Sequence, residues 1–501
     1  MFAVIVGSGF AGLCMGIALK QAGVEDFVIL ERAGAIGGTW RDNVYPGCAC
    51  DVPSHVYSFS FEPNPRWSAT YSPQPEIRDY MERCADKYDL RRHVRLGMEA
   101  VSADFDERTG QWTLKARPAG QPDAPAEEIV ARVVVAGLGP LARFTLPKIP
   151  GIERFRGPMF HSAAWDASFD PAGKRIATIG TGASAIQFVP ELAKSASKLH
   201  VFQRTPAWVL PRRERLYSDL EKRLFEGVPA LRFLHRQSIF WQLEARTFAF
   251  VSHPKLLQLA ERFARRNIEK SIQDPELRRK LTPDYRMGCK RILMSNTYYP
   301  ALAQPNVEVV AGAPKAITEA GIVGPDGAER EVDAIVFGTG FDVHDYLGPL
   351  VVRGRGGREL GALWRERGAQ AYLGSSIAGF PNLFVLVGPN TGLGHNSIIF
   401  MIESQVGHVM ECVARLRASP DACIEVRADV QQAYNEDIQR RLRGAVWSSG
   451  CASWYMDSHG RNTTLWPGFC FQFRLATRTL DERAYEITAP RLDVPPPRPA
   501  S

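Results

Sequence analysis

Two glycine-rich turns constrain this chain more than any other feature. The first is GSGFAG, with Gly7, Gly9 and Gly12; the second is GTGASA, with Gly180, Gly182 and Ala185. Each follows a short apolar run that reads as a buried parallel strand, AVIVGSG and KRIATIGTG, and each opens a helical pattern. In a Rossmann unit the helix N-terminus behind such a turn faces a pyrophosphate. Counting 24 residues from the first glycine of each turn reaches Glu31 in one case and Arg204 in the other. That position ends the second strand and meets the nucleotide ribose. A carboxylate accepts from ribose hydroxyls, whereas a guanidinium accommodates a 2′-phosphate. The pair of turns therefore predicts one site for FAD and another for NADPH. Ala185 in place of a third glycine is tolerated by the pattern.

The expected fold class is α/β, with two Rossmann-like dinucleotide-binding domains and a helical insertion in the NADP domain. DFVILER supplies the second strand of the first unit, and ARVVVAGLGP closes it. Between them, residues 60–130 mix a helix over 75–88 with antiparallel strands and a Gly/Pro-rich hairpin at 117–125. LHVFQR is the second strand of the second unit, and NVEVVAG and EVDAIVFGTGF restore its later strands. NLFVLVGPN is a last buried strand, followed by a long helix over 396–416. These readings divide the chain into a first FAD-binding part, 1–150, and an NADP-binding domain, 151–205 and 284–334. A helical insertion over 206–283 shows no strand alternation. A second FAD-binding part, 335–490, precedes a flexible proline-rich tail, 491–501.

The bulk composition of these 501 residues excludes several classes. Hydrophobic content of 45% and charged content of 23% are ordinary for a globular protein. A net charge of +7 is mild for this size and favours an anionic cofactor over nucleic acid. The densest basic stretches, 262–266 and 278–280, alternate with apolar residues and acids and read as the solvated face of helices. No apolar run reaches membrane-spanning length, and the apolar start lacks the basic region of a signal peptide. Nine scattered cysteines do not look like a disulfide scaffold, so a cytoplasmic location is expected. Only Cys48 and Cys50 lie close in sequence, and C-x-C is neither a redox pair nor half of a metal site; no metal is expected.

More specific motifs surround the two turns. FRGPMFHSAAWD at 155–166 fits F-x-G-x-x-x-H-x-x-x-W-D, and GGTWRDNVYPGCACD spans 37–51. Both resemble signatures of the Baeyer–Villiger monooxygenases, which are FAD- and NADPH-dependent. QRTP at 203–206 resembles that family's NADP loop, which implies that Arg204 and Thr205 meet the 2′-phosphate. RMGCKRILMSNTYYPAL at 286–302 resembles the segment with the family's catalytic arginine, matching Lys290 and Arg291. GCASWYMDSHGRNTTLWPG at 450–468 resembles the region that closes over the nicotinamide, with Trp454 as the contact. FGTGFD at 337–342 looks like the return crossing to FAD, and GPNTGLGHNS at 388–397 like the turn before the flavin-facing helix. Thr39, Trp40, Asp51 and Tyr57 on the flavin side, and Thr181, Ser184 and Gln187 on the second turn, complete the cofactor-binding set.

The resemblance implies a monooxygenase that inserts one oxygen atom of O₂ beside a ketone carbonyl, giving an ester or lactone through a peroxyflavin. Its oxygen-bearing intermediates carry negative charge, so a fixed cation lowers the barriers. Arg291 is the catalytic candidate because a guanidinium stays protonated; Asp51 would orient it, and Lys290 would hold the NADP phosphate. Each has a plainer reading: Arg291 as an ordinary ion-paired arginine, Asp51 as a turn cap before Pro53, Trp40 and Tyr57 as core aromatics. His161, in the linker between the units, reads as a hinge residue, and His395 as a loop histidine. The alternative activity is oxidation of nitrogen or sulfur in soft nucleophiles by a flavin-containing monooxygenase. A disulfide reductase is disfavoured because no CxxC or CxxxxC occurs. Oligomeric state and the identity of the ketone stay open.

Overall fold

The computed structural model describes residues 1–451 and 453–489; the tail expected over 491–501 lies outside the described residues. Its centre is a five-stranded sheet in the order Leu383–Val385, Val133–Ala136, Ala3–Val6, Phe27–Glu31, Val94–Leu96, with every pairing parallel. The runs AVIV, FVILE and VVVA are buried throughout, as a parallel strand covered on both faces requires. Side-chain alternation assigns the two covers. Ala3, Ile5, Ile29 and Val135 point into one core with Leu13 and Ile17 of the helix Phe10–Gln21. Val4, Val6, Leu30 and Val134 point into another with Trp112 and Leu114. The latter belong to a sheet built on the antiparallel meander Met98–Asp106, Gln111–Pro118 and Glu127–Ala131. Burying one such aliphatic side chain stabilises the fold by about 1.5–3 kcal/mol.

A second parallel five-stranded sheet runs Val307–Ala311, Lys198–Gln203, Arg175–Ile179, Ala334–Phe337, Met159–His161. The helix Ala185–Ala193 covers one face through Phe188, Val189 and Leu192, which pack with Leu199, Val201 and Val336. Helices Asp219–Gly227, Pro229–Thr247, Leu257–Ser271 and Pro275–Leu281 fill the chain between two strands of this sheet. Ser218 and Glu221 form a capping box at the first of them. This stretch is not wholly without strands. Val209–Leu210 pairs in parallel with Leu293–Met294, a two-residue ladder too short to leave a periodic signal. The long helix of the C-terminal part is Ile398–Ala418. It starts two residues later than the sequence suggests because the Ser397 hydroxyl accepts from the Ile399 N–H at 3.3 Å and caps it.

The chain crosses between the sheets twice, after Ala136 and after Phe337, and the crossings hold each other. Phe144 and Phe341 form an antiparallel bridge. The Asp342 N–H donates to the Arg143 carbonyl at 3.0 Å, and the Thr339 hydroxyl donates to the Thr145 carbonyl at 3.2 Å. His161 is buried between them, stacked on Phe144 at 4.3 Å and edge-on to Phe341 at 5.8 Å. The Ala163 N–H donates to its Nδ1 at 3.1 Å, and burial pushes its pKa down to about 4.

Burial likewise holds His408 at about 4 and His55 at about 3. These rings bind fewer protons folded than unfolded, so their stabilisation is complete above the ordinary value of 6.5 and lost as pH falls towards 4. Each costs about 2 kcal/mol of stability by about pH 5. The melting temperature is expected to drop steeply between pH 7 and 5, and less steeply in His161→Gln. Equal slopes in the two proteins would show that His161 carries none of the effect.

Candidate active site

The two glycine turns differ in what each glycine does. Gly7 and Gly180 have φ of +101° and +112°, and a Cβ on them would lie 2.6 Å from the Gly137 carbonyl oxygen and 2.3 Å from that of Gly338. A Cβ on Gly12 would sit 1.8 Å from the Gly7 carbonyl oxygen. These positions need glycine for the turn and for helix–strand contact. The second glycines are different. A Cβ on Gly9 would come no nearer than 3.8 Å, to Gly38 Cα, and on Gly182 would meet nothing within 4 Å. Their backbone faces open cavity beside a helix N-terminus, as close approach of a pyrophosphate demands. Ala185 is fully buried at the start of its helix. Ser184 precedes it and lines the cavity, whereas Gly12 and Ala185 lie beneath the wall.

Glu31 ends its strand buried, with both carboxylate oxygens engaged. The Ser8 hydroxyl and N–H donate to Oε2 at 2.7 and 3.0 Å, and the Ala33 N–H to Oε1 at 2.9 Å. Arg41 Nη1 lies 2.9 Å from Oε1. Burial alone would raise its pKa, but the Ala33 N–H, Arg41 and Ser8 outweigh that and hold it below the ordinary carboxylate value. Arg41 is a cavity residue that sequence reasoning missed, although it sits inside the GGTWRD stretch. At the corresponding place in the second unit, Arg204 is exposed at the cavity wall with Thr205 and Lys290. The Thr181 hydroxyl donates to the Thr205 carbonyl at 3.1 Å, fixing the loop. Lys290 has its pKa lowered by burial and by the neighbouring Arg204 cation. Two adjacent cations at the edge of a cavity suit a phosphate dianion.

One continuous cavity of about 990 Å³ joins both turns. At their meeting point Arg291 donates to Asp51 Oδ2 from Nη2 at 2.6 Å and from Nε at 3.1 Å. Both side chains keep 31% of their surface exposed and line the cavity. Burial would raise the Asp51 pKa, but Arg291 overrides it and holds the carboxylate ionised. Asp51 in turn raises the already high Arg291 pKa. Thr39, Trp40, Tyr57 and Trp454 line the same space. Trp40 Nε1 donates to the Tyr57 hydroxyl at 3.1 Å, and the rings meet edge-on at 5.5 Å. Trp454 is 45% exposed and stands against Tyr455 at 4.4 Å. Gln187 also reaches the cavity wall, but its amide is occupied. It accepts from the Tyr45 hydroxyl at 3.1 Å and donates to the Ala49 carbonyl at 3.0 Å, stitching the second unit's helix to the 37–51 segment.

Behind this wall, Glu244, His395 and Cys470 form a buried cluster. The Glu244 carboxylate accepts from Asn396 Nδ2 at 2.8 Å and from the Cys470 and Phe471 N–H groups at 3.2 and 3.3 Å. It therefore caps the helix Cys470–Thr477 and joins three distant segments. Cys48 and Cys50 are buried, and burial pushes the Cys48 thiol up to about 11. That is the reverse of the thiolate a disulfide reductase needs.

A family model described as flavin-binding monooxygenase-like matches residues 2–350. A Baeyer–Villiger monooxygenase of Pseudomonas aeruginosa is 50% identical over 486 residues, covering 97% of this chain and 91% of its own. One of Streptomyces coelicolor is 46% identical over 488 residues, covering 97% and 92%. Among solved structures, an oxidized steroid monooxygenase bound to NADP is similar with a TM-score of 0.86 at 30% identity. The cyclohexanone monooxygenase from Rhodococcus sp. Phi1 bound to NADP+ has a TM-score of 0.86 at 29% identity. Each comparison covers 97% of this chain and 99% of the other.

One expectation is corrected at this site. The cysteine spacing gave no sign of a disulfide, yet Cys289 and Cys451 are bridged, 162 residues apart. The pairing depends on two loops meeting in space, which spacing along the chain does not encode. Cys289 directly precedes Lys290 and Arg291, and Cys451 lies three residues before Trp454, so the bridge ties the two segments together. Thiol titration of the unfolded holoenzyme without reductant should count seven of the nine cysteines. A count of nine would remove the bridge.

Proposed function

This chain belongs to the flavin-binding monooxygenase-like family and sides with its Baeyer–Villiger members; from that premise we infer that it is an NADPH-dependent flavoprotein monooxygenase converting a ketone to an ester or lactone with O₂. The observation that carries this reading is the Arg291–Asp51 pair, which faces the cavity where the two nucleotide cradles meet. Bare backbone at Gly9 and Gly182, Glu31 on one side and the Arg204–Lys290 cations on the other fit FAD and NADPH respectively. FAD, when bound, supplies hydride acceptance from NADPH and the activation of O₂.

The protein's part is positioning and charge. Asp51 occupies Nε and one hydrogen of Nη2, so Nη1 and the other Nη2 hydrogen of Arg291 are left for negative charge that develops on oxygen. The carboxylate fixes the guanidinium plane and keeps the resting pair neutral, so the cation is present without a large cost of uncompensated charge. Lys290 and Arg204 would hold the 2′-phosphate of NADPH, with Thr205 completing the loop. Trp40, Tyr57 and Trp454 wall the reacting space with aromatic surface and limit water. Oxidation of nitrogen or sulfur needs no stabilised anion, and the named relatives do not favour it.

The division of the chain follows the same reading: 1–150 with 335–490 for FAD, 151–205 with 284–334 for NADPH, and 206–283 as an insertion shaping the substrate side. Among the described residues no helix is long and apolar enough to cross a membrane. A cytoplasmic location fits the demand for NADPH; there, the Cys289–Cys451 bridge would face reducing conditions.

Arg291→Ala is expected to lower ester formation by about two orders of magnitude or more, while NADPH oxidation continues. Product mass and NADPH consumption measured together check this; unchanged ester yield would discard Arg291 as the stabilising cation. Arg204→Ala should raise the KM for NADPH about tenfold and leave that for NADH nearly unchanged. Equal effects on both nucleotides would place Arg204 away from the 2′-phosphate.

A further inference from the structure

The helices between residues 206 and 283 present apolar side chains outward as well as inward. In Pro229–Thr247 the inner face buries Phe240, Leu243 and Thr247. An exposed flank of the same helix carries Leu234 and Trp241, 62% and 54% exposed, with Trp241 resting by one side on Phe471 at 5.8 Å, and the stripe continues seven residues on to exposed Phe248. Spacings of seven keep these positions on one side of a helix. Leu257–Ser271 repeats the arrangement. Leu257, Ala264 and Ile268 face inward, whereas Leu256, Leu259 and Phe263 are more than half exposed. Outward apolar stripes of this size are not a feature of an isolated soluble surface.

The charge of the same segment is equally unusual. Residues 206–283 hold sixteen lysines and arginines against nine aspartates and glutamates. That surplus of seven equals the net charge of the entire chain, so the other residues together are neutral. Arg266 and Lys270 extend the Leu259–Phe263 face by one further turn each, are exposed, and make no ion pair among the described residues. A solvated helical face explains the cations but not the exposed Trp and Phe beside them. A second copy of the chain would bring like-charged faces carrying Arg266 and Lys270 together in a two-fold interface, which is unfavourable. An anionic lipid surface is complementary to both features: it accepts Trp, Phe and Leu at its boundary and attracts each nearby cation by about 1 kcal/mol.

We propose that the outer face of the 206–283 helices docks this protein peripherally on anionic lipid bilayers. The docking stands apart from the Arg291–Asp51 chemistry, and its failure would leave that chemistry untouched.

The test is co-sedimentation of the FAD-loaded holoenzyme with phosphatidylcholine vesicles, pure or containing about one-third phosphatidylglycerol. The expected result is binding to the anionic vesicles at least about tenfold tighter than to neutral ones, weakened by salt. Trp241→Glu should reduce binding about tenfold or more, with flavin absorbance and NADPH oxidation retained. The double variant Arg266→Glu/Lys270→Glu, altered only at exposed positions, should remove the preference for anionic vesicles even if Trp241→Glu fails to fold. No binding to anionic vesicles at low salt would overturn the proposal, as would binding that neither variant changes. So would a dimer seen by light scattering that Trp241→Glu dissolves in a protein indifferent to lipid.

Discussion

A guanidinium facing a cavity is useful only if something holds it there, and in this protein that something is a carboxylate 240 residues away. The two contacts from Arg291 to Asp51 Oδ2 oblige the 37–51 segment of the first unit to meet the 286–302 segment of the second. Around that contact the rest of the site is reinforced. Gln187 ties Tyr45 and Ala49 to the second unit's helix. The Cys289–Cys451 bridge ties the arginine's own segment to the loop that carries Trp454. Charge placement follows from the same junction. A lone buried arginine or aspartate would be costly, whereas the paired ions are tolerated at a cavity wall where each still keeps part of its surface open.

The two sheets show why such a junction can be held still. Parallel strands buried on both faces make each sheet a stiff slab, and the nucleotide turns project from the ends of those strands at fixed positions. The crossings between slabs are braced by one another and by His161 stacked on Phe144. The neutral state that burial imposes on His161 avoids an uncompensated charge between them. Beside these slabs, Trp454, Thr464 and Leu465 of the C-terminal segment complete the cavity wall.

Much of the fold was legible because buried parallel strands and glycine turns leave local signatures. AVIV, FVILE and VVVA can be read as doubly covered strands, and Gly7 and Gly180 as positive-φ turns, from the residues alone. The site was legible in outline: residues named from separate motifs, such as Trp40, Asp51, Arg204, Arg291 and Trp454, line one cavity. Beyond the Asp51–Arg291 pairing that the resemblance implied, what escaped was the partner of several groups. Arg41 on Glu31, the occupied amide of Gln187, and Glu244 capping a helix 226 residues further on are contacts between segments with no common motif. The two-residue ladder at 209–210 and 293–294 escaped for the related reason that it is too short for periodicity.

By itself, then, the amino-acid order determined the local conformations: which runs must be covered on both faces, where backbone must turn left-handed, and which charge stands at the end of each second strand. These follow from sterics and side-chain chemistry within about thirty residues. Only the tertiary structure decided that Gln187 meets Tyr45 and Ala49, that Cys289 meets Cys451, and that an apolar stripe is left exposed on the 206–283 helices. Those outcomes depend on how separately formed slabs and helices pack, and a helix carrying apolar residues on two faces does not say which face the core will take.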